Sequence, residues 1–80
     1  MPAMRLSDCR KGQTVRVVHL SGTSGLRQRL MEMGFVRGTL VRVIRYAPLR
    51  DPLEVTVKGA HISLRVEEAN IIEVTPVEEA

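Results

Sequence analysis

Large aromatic side chains are nearly missing from this sequence of 80 residues, in which tryptophan is absent and Phe35 and Tyr46 are the only aromatic residues. A folded core must therefore be built from Val, Ile, Leu and Met. The same shortage argues against proline-rich peptides and single-stranded nucleic acids as ligands, because proteins bind both on aromatic side chains.

Cysteine occurs once, at Cys9, which excludes an intramolecular disulfide and any metal site built on paired cysteines. Apolar runs are short as well. None approaches the roughly 20 residues of a membrane-spanning helix, and the N-terminus lacks the apolar core of a signal peptide. We therefore expect one cytoplasmic domain in a reducing compartment, with no direct insertion into a membrane.

Negative charge is scarce in the first part of the chain. Residues 1–50 carry a net charge of +8 and residues 51–80 carry −5, which leaves +3 for the whole chain. Ten of the twelve basic residues are arginines. Such a separation of charge favours oriented docking on a charged partner, although solvated faces of a small barrel would have the same pattern.

One segment, residues 26–39, predicts a short helix, its end and a tight turn. Its apolar residues recur at helical spacing, and Ser24 precedes it as the expected N-cap. Gly34 suits the left-handed position just past the helix, where Phe35 would fold back on the helix, and Gly38 suits a turn that needs positive φ. The structural residues expected here are Leu26, Leu30, Met33, Gly34, Phe35 and Gly38.

Short runs rich in β-branched residues predict strands at 14–20, 40–47, 53–57, 61–66 and 71–74, with one 3₁₀ turn at 67–70. We expect an all-β fold, a small SH3-like barrel of about five strands with one short α-helix between strands 1 and 2. An OB-type barrel fits less well because its helix comes later in the chain. Residues 1–75 would form the domain, and residues 76–80 a frayed acidic tail.

Simple alternation assigns the side chains of the first two long strands to faces. In the first, Val15 and Val17 share one face, whereas Val18 and Leu20 lie on the other. In the second, Val41 and Val43 point one way. The side chains expected to point the opposite way are those of Arg42, Ile44 and Tyr46.

No set of residues predicts catalysis, so we expect no enzyme activity. Cys9, His19 and His61 are the only thiol and imidazole groups, and they lack the spacing of a catalytic or metal-binding motif. Their donor atoms allow at most a weak or intermolecular site for a transition metal such as iron or zinc. The glycine-containing loop at 21–25 lacks the Lys-Ser/Thr pair of a phosphate-binding loop.

A basic face for phosphates is the nucleic-acid alternative. Its members would be Arg27, Arg29, Arg37, Arg42, Arg45 and Arg50. Aromatic platforms are too few to support that alternative, so nucleic acid is not the expected partner. Small barrels also expose edge strands, which makes a homo-oligomer an additional alternative.

A protein-binding surface is the preferred interpretation. Met31 lies on the polar side of the predicted helix, close to Arg27, where it would either offer a soft apolar contact or be a lone exposed apolar residue of the kind that is common on protein surfaces. The loop at 48–52 contains two prolines and cannot be a central strand. We therefore expect the helix and this loop to form a partner-binding surface with Arg27, Met31, Leu49 and Arg50.

The sequence also resembles the ferrous iron transport protein A (FeoA) family from Leu6 to about Val74. The resemblance is carried by LMEMGFVRGT at 30–39, VRV at 41–43, AP at 47–48 and DP at 51–52, then VKG at 57–59, ISLR at 62–65 and EA at 68–69. Many relatives have proline at the position of Arg37. That difference removes some rigidity from the turn.

The resemblance implies an SH3-like barrel that is cytosolic and not an enzyme. It implies an accessory role beside a membrane-embedded ferrous iron transporter with a cytoplasmic GTP-binding domain (FeoB), which would recruit the protein to the inner face of the membrane. A related domain ends metal-dependent repressors of the diphtheria toxin repressor type. A metal-binding or metal-sensing regulatory domain is therefore the alternative, and no cofactor is expected to be required.

Overall fold

A computed structural model describes residues 4–77 of the chain. Nine short elements follow one another in that part. They are β1 (Met4–Arg5), a 3₁₀ turn (Leu6–Asp8), β2 (Thr14–Leu20), α1 (Ser24–Glu32), β3 (Leu40–Tyr46), β4 (Leu53–Val57), β5 (Ala60–Leu64), α2 (Val66–Ala69) and β6 (Ile72–Pro76).

All strands of the described residues join one antiparallel sheet with the order β1-β6-β2-β3-β4-β5. The expected all-β class is confirmed, and the expected short helix is α1, to which the structure adds the four-residue α2. The sheet has six strands instead of about five, because Met4 and Arg5 pair with Val74 and Glu73. This two-residue strand is too short to show alternation in the sequence, and it places α1 between the second and third strands.

The core is entirely apolar within residues 4–77, where no charged or polar side chain is buried. Its largest fully buried member is Phe35, and aliphatic side chains from every long strand surround it. Buried Val, Leu and Ile side chains therefore fill the core, which contains no tryptophan. In a domain this small, nearly every one of these contacts contributes to stability.

A β-bulge in β2 changes the expected faces of that strand. Val17 pairs with Val74 and His19 pairs with Glu73, so Val18 is an extra residue without a partner of its own. The insertion shifts the alternation by one position. Leu20 is therefore buried on the same side as Val17, and its expected place on the opposite face is wrong.

A second bulge has the same effect in β3. Val43 pairs with Val55 and Arg45 pairs with Glu54, which makes Ile44 the inserted residue. Tyr46 consequently packs against the core, instead of lying on the outer face with Arg42 and Ile44 as alternation suggested.

Several boundaries also differ from those expected. The strand expected at 61–66 is β5 at Ala60–Leu64, the turn at 67–70 is the helical turn α2, and the last strand runs to Pro76. The Val77 N–H donates to the Thr14 carbonyl oxygen at 3.1 Å. The frayed tail expected at 76–80 therefore does not begin at Pro76, and residues 78–80 lie outside the described part.

Neither helix within residues 4–77 has the length and apolar character needed to cross a lipid bilayer.

Candidate functional site

Helix α1 begins at Ser24, one residue after its cap. The Thr23 hydroxyl oxygen accepts a hydrogen bond from the Leu26 N–H at 3.3 Å, and Thr23 has extended backbone angles. Thr23 is therefore the N-cap, and the expectation that Ser24 has this role is wrong. Both residues suit a cap, so sequence alone could not decide between them.

The C-terminal end of α1 has the geometry that its glycine predicted. Gly34 has a φ of +112°, its N–H donates to the Met31 carbonyl oxygen at 3.0 Å, and the Phe35 N–H donates to the Leu30 carbonyl oxygen at 3.1 Å. This pair of hydrogen bonds defines a Schellman motif. Phe35 and Leu30 are both fully buried, so the end of the helix is anchored in the core.

The tight turn after α1 is bonded to the neighbouring strand β2. Gly38 has a φ of +90°, and the Thr39 N–H donates to the Val36 carbonyl oxygen at 3.0 Å. The Gly38 N–H donates to the Val17 carbonyl oxygen at 2.8 Å, and the Val17 N–H donates to the Thr39 carbonyl oxygen at 2.9 Å. Helix, turn and strand are therefore bonded into one unit, and Leu26 and Met33 of this unit pack half-buried against the core.

An open groove of about 220 Å³ lies between α1, the end of β2 and this turn. Among residues 4–77, five of its lining side chains are apolar, three carry basic groups and none is a carboxylate. We call it the α1–β2 groove, and its lining residues are Val18, His19, Leu20, Arg27, Met31, Phe35, Val36 and Arg37.

Two of the four predicted partner-binding residues line this groove. Met31 is 44% exposed although it is large and apolar. Arg27 is half-buried, and its Nε atom is buried without a hydrogen-bond partner among residues 4–77. The Arg27 side chain therefore lies along the protein surface instead of extending into solvent. The next arginine of the helix, Arg29, instead forms an ion pair with Glu68 of α2, in which the Arg29 Nη2 lies 3.2 Å from the Glu68 Oε2.

The other two predicted partner-binding residues, Leu49 and Arg50, do not line the α1–β2 groove. Leu49 is 90% exposed in the loop between β3 and β4. The Arg50 guanidinium lies 4.6 Å from the centroid of the Tyr46 ring. Asp51 in the same loop accepts a hydrogen bond from the Val66 N–H at 3.1 Å, which fixes the loop against the start of α2.

Cys9 is 2% exposed and has little capacity to act as a metal ligand. Its Sγ lies 3.6 Å from the Arg5 carbonyl oxygen, to which the thiol donates. Burial raises the pKa of Cys9 from 9.0 to about 11, and the charge of Asp8 adds to the rise. The thiolate that binds metals is therefore disfavoured at neutral pH.

The two histidines lie apart from this thiol in different surroundings. His19 is exposed at the rim of the α1–β2 groove, whereas the His61 Nε2 lies 2.9 Å from the Glu54 Oε1. Residues 4–77 contain no group of three or more His, Cys, Asp or Glu side chains placed to share a metal ion. Cys9, His19 and His61 therefore do not form a joint site within one chain, and an intermolecular site that uses some of them stays a prediction.

The six arginines suggested as a basic face are not equally available. Arg45 donates through Nε to the Glu54 Oε2 at 2.8 Å, Arg29 pairs with Glu68, and Arg50 stacks on Tyr46. Three of the six are thus occupied within the protein. Sequence reasoning placed Arg27 and Met31 together but missed their neighbours from the end of β2, because the bulge there moves Leu20 to the core side and leaves no signal in the alternation.

Comparison with known proteins gives a consistent result. The family model described as the FeoA domain matches residues 4–76. A curated relative, the Fe(2+) transport protein A/Fe(2+) transporter FeoB fusion protein of Porphyromonas gingivalis, is 42% identical over 71 residues. Those residues are 89% of this chain and 8% of the relative, so the chain spans a small fraction of that protein.

Solved structures agree with the family model. The solution structure of the FeoA protein from Chlorobium tepidum has a TM-score of 0.88 at 37% identity, covering 94% of this chain and 71% of that one. The Stenotrophomonas maltophilia FeoA, described as a prokaryotic SH3 domain protein and crystallised with zinc, has a TM-score of 0.76 at 32% identity, with 91% of each chain covered. The expected SH3-like fold is thereby confirmed.

Proposed function

Because the chain belongs to the FeoA family of ferrous iron transport, we propose that it is a non-enzymatic accessory protein of ferrous iron uptake. In this role it binds the cytoplasmic part of a FeoB-type transporter and supports the activity of that transporter. The protein itself is cytoplasmic and is recruited to the inner face of the membrane by its partner.

The single observation that carries this proposal is the fusion relative. In the Porphyromonas gingivalis protein, a segment 42% identical to this chain belongs to the same polypeptide as a FeoB transporter. Covalent linkage holds two modules at a high effective concentration, which is useful where they must contact each other. We infer that the unlinked chain makes by binding the contact that the fusion protein maintains by its linkage.

The contact surface that we propose is centred on the α1–β2 groove. Met31 supplies exposed apolar area next to Arg27, whose half-buried side chain is already restricted in its motion. A restricted arginine loses less conformational entropy on binding than a freely extended one. The loop carrying Leu49 and Arg50 is a second, separate region of the proposed surface.

No metal cofactor is required for this docking in our proposal. The zinc in the Stenotrophomonas maltophilia structure belongs to that protein, and the residues described here include no shared site of three donors. Binding measured in the presence of a chelator should therefore equal binding measured without one. A loss of affinity in the chelator would favour the metal-binding alternative.

The decisive experiment measures binding of the purified protein to the cytoplasmic domain of the transporter from the same cell, with and without guanine nucleotide. We expect a saturable complex with the wild-type chain. The double variant Arg27→Glu and Met31→Asp should weaken it by about tenfold or more, because it removes apolar area and reverses a charge at the centre of the surface.

A matched control carries the same change of charge elsewhere. Leu40 is 47% exposed, like Met31 at 44%, and Arg42 lies exposed on the same strand as Leu40. The double variant Leu40→Asp and Arg42→Glu should bind as the wild type does. Thermal unfolding of both variants verifies that each is folded. Absence of any complex with the wild-type chain would refute the proposed function, and equal binding by both variants would refute the surface.

A further inference from the structure

The α1–β2 groove combines two properties that together restrict what can bind there. Its floor is apolar, with the side chains of Val18, Met31 and Phe35 among those lining it. Its basic side chains are Arg27, Arg37 and His19, and none of the carboxylates in the described part of the chain lines it. Resting on the proposed function, we infer that the groove binds an acidic segment of the transporter's cytoplasmic part, in which a large apolar residue is flanked by Asp or Glu.

The volume of the groove supports a peptide segment as the occupant. Pockets for drug-sized molecules enclose about 300–1,000 Å³, whereas this groove encloses about 220 Å³. One or two side chains fill such a space, which suits residues inserted from a longer segment that crosses the open groove. The exposed area of Met31 and of Val18, which is 36% exposed, would be covered by the inserted apolar side chain.

The charges at the groove support an acidic occupant in particular. Neither Arg27 nor Arg37 forms an ion pair with a carboxylate among residues 4–77, although Arg29 and Arg45 both do. The Nε atom of Arg27 is buried and has no acceptor within the described residues. Two unpaired guanidinium groups beside an apolar floor attract carboxylates and repel basic segments.

The support beneath the groove is rigid, which favours recognition of a defined segment. The Schellman end of α1 fixes Met31 and Phe35, and the backbone hydrogen bonds between Val17 and the turn at 36–39 fix Arg37 relative to β2. Val18, the inserted residue of the bulge, points away from the core and lines the groove. A site held in this way binds without paying for rearrangement of its backbone.

The test uses two synthetic six-residue peptides and NMR titration of the isotope-labelled full chain. Both peptides have leucine and phenylalanine at the centre, and the outer four residues are Asp and Glu in one peptide and Lys in the other. The acidic peptide should shift the methyl resonances of Val18 and Met31 in a saturable manner. The lysine peptide should bind at least about tenfold more weakly, because it meets like charges.

A variant separates recognition from folding. Arg27→Gln combined with Arg37→Gln keeps a polar side chain with N–H donors at each position but removes both charges. It should bind the acidic peptide about five- to tenfold more weakly and lose most of the salt dependence of binding. The control Arg10→Gln with Arg42→Gln, at exposed positions outside the groove, should leave the affinity unchanged.

Three results would overturn the inference. Equal binding of both peptides, shifts confined to residues outside the groove, or undiminished binding by the Arg27→Gln and Arg37→Gln variant would each do so. Groove shifts that grow with protein concentration alone, and vanish in a chain ending at Val77, would show that the acidic C-terminus of a second copy is the occupant instead. The peptide titration does not involve the transporter, so its outcome and that of the transporter-domain experiment can differ.

Discussion

The Phe35 N–H donates to the Leu30 carbonyl oxygen across 3.1 Å, and the two side chains are both fully buried. The hydrogen bond closes the C-terminal end of α1, and the two buried side chains anchor that end in the core. Because Met31 lies between these two residues on the exposed side of the helix, the same linkage positions the α1–β2 groove. The stability of this helix end and the geometry of the proposed binding surface are therefore coupled.

Gly34→Ala should lower the free energy of unfolding by about 1–2 kcal/mol. The new Cβ would have ordinary contacts of 3.6 Å with Val57 and Lys58, so space is available. The cost arises because Gly34 has a φ of +112°, in a region that side chains with a Cβ avoid. Urea unfolding monitored by circular dichroism measures the change.

Gly25→Ala is the matched control for that substitution and should have the opposite sign. Gly25 lies inside α1, has no unusual φ, and leaves open space around a new Cβ. Replacing glycine by alanine within a helix restricts the unfolded chain and should raise stability by about 0.5–1 kcal/mol. Equal effects of the two substitutions would contradict the role assigned to the backbone of Gly34.

Thr23→Ala should destabilise the protein by about 0.5–1 kcal/mol, because it removes the oxygen that accepts the Leu26 N–H. The hydrogen bond is long, at 3.3 Å, which places the expected cost in the lower part of the range for N-caps. Ser24→Ala should have an effect within about 0.5 kcal/mol, since Ser24 is the first residue of the helix. Denaturant unfolding of both variants checks the assignment, and a larger effect at Ser24 would reverse it.

The sequence was sufficient for features that depend on local backbone chemistry. Gly34 and Gly38 have the positive φ that their positions required, and the strands at 14–20 and 53–57 have the expected bounds. Turns and helix ends of this kind are specified within a few residues, so their signals survive without knowledge of the rest of the fold.

Features that depend on distant pairing were not predictable. The bulges at Val18 and Ile44 arise from the register of β2 with β6 and of β3 with β4, and no residue type marks them. They reverse the faces of Leu20 and Tyr46, whereas Val18 keeps the outward position that alternation predicts and lines the groove. Only part of the candidate site could therefore be predicted from the sequence. Arg27 and Met31 could be placed together on one helix, but the residues that face them across the groove could not be identified.

Cys9 gives the protein a pH-dependent stability at alkaline pH. Burial raises the pKa of this thiol from 9.0 to about 11. Above pH 9.0 the unfolded chain loses the proton while the folded chain still holds it, so deprotonation stabilises the unfolded state. We expect the buried thiol to make its full contribution to the free energy of unfolding below pH 9.0. That contribution should fall by about 1–2 kcal/mol as the pH approaches 11.

The Cys9→Ala variant provides the measurement. The difference in unfolding free energy between wild type and variant should be constant below pH 9.0 and should then change in favour of the variant. Some alkaline destabilisation should remain in Cys9→Ala, because the pKa of Tyr46 is also raised, mainly by burial. A difference that stays constant up to pH 11 would show that the thiol is not desolvated.

Binding to the transporter domain should depend more on Met31 than on Leu49, although Leu49 is the more exposed, at 90% against 44%. An apolar side chain contributes most to binding where its surroundings also exclude water from the contact. Met31 lies in a groove with Val18, Phe35 and Arg27, whereas Leu49 is at an exposed loop. We expect Met31→Asp to weaken binding by about tenfold and Leu49→Asp by less than about threefold. Isothermal titration calorimetry measures both affinities, and circular dichroism verifies that the two variants have the same helix content. The reverse order would move the docking surface to the loop between β3 and β4 and leave the α1–β2 groove without a part in transporter binding.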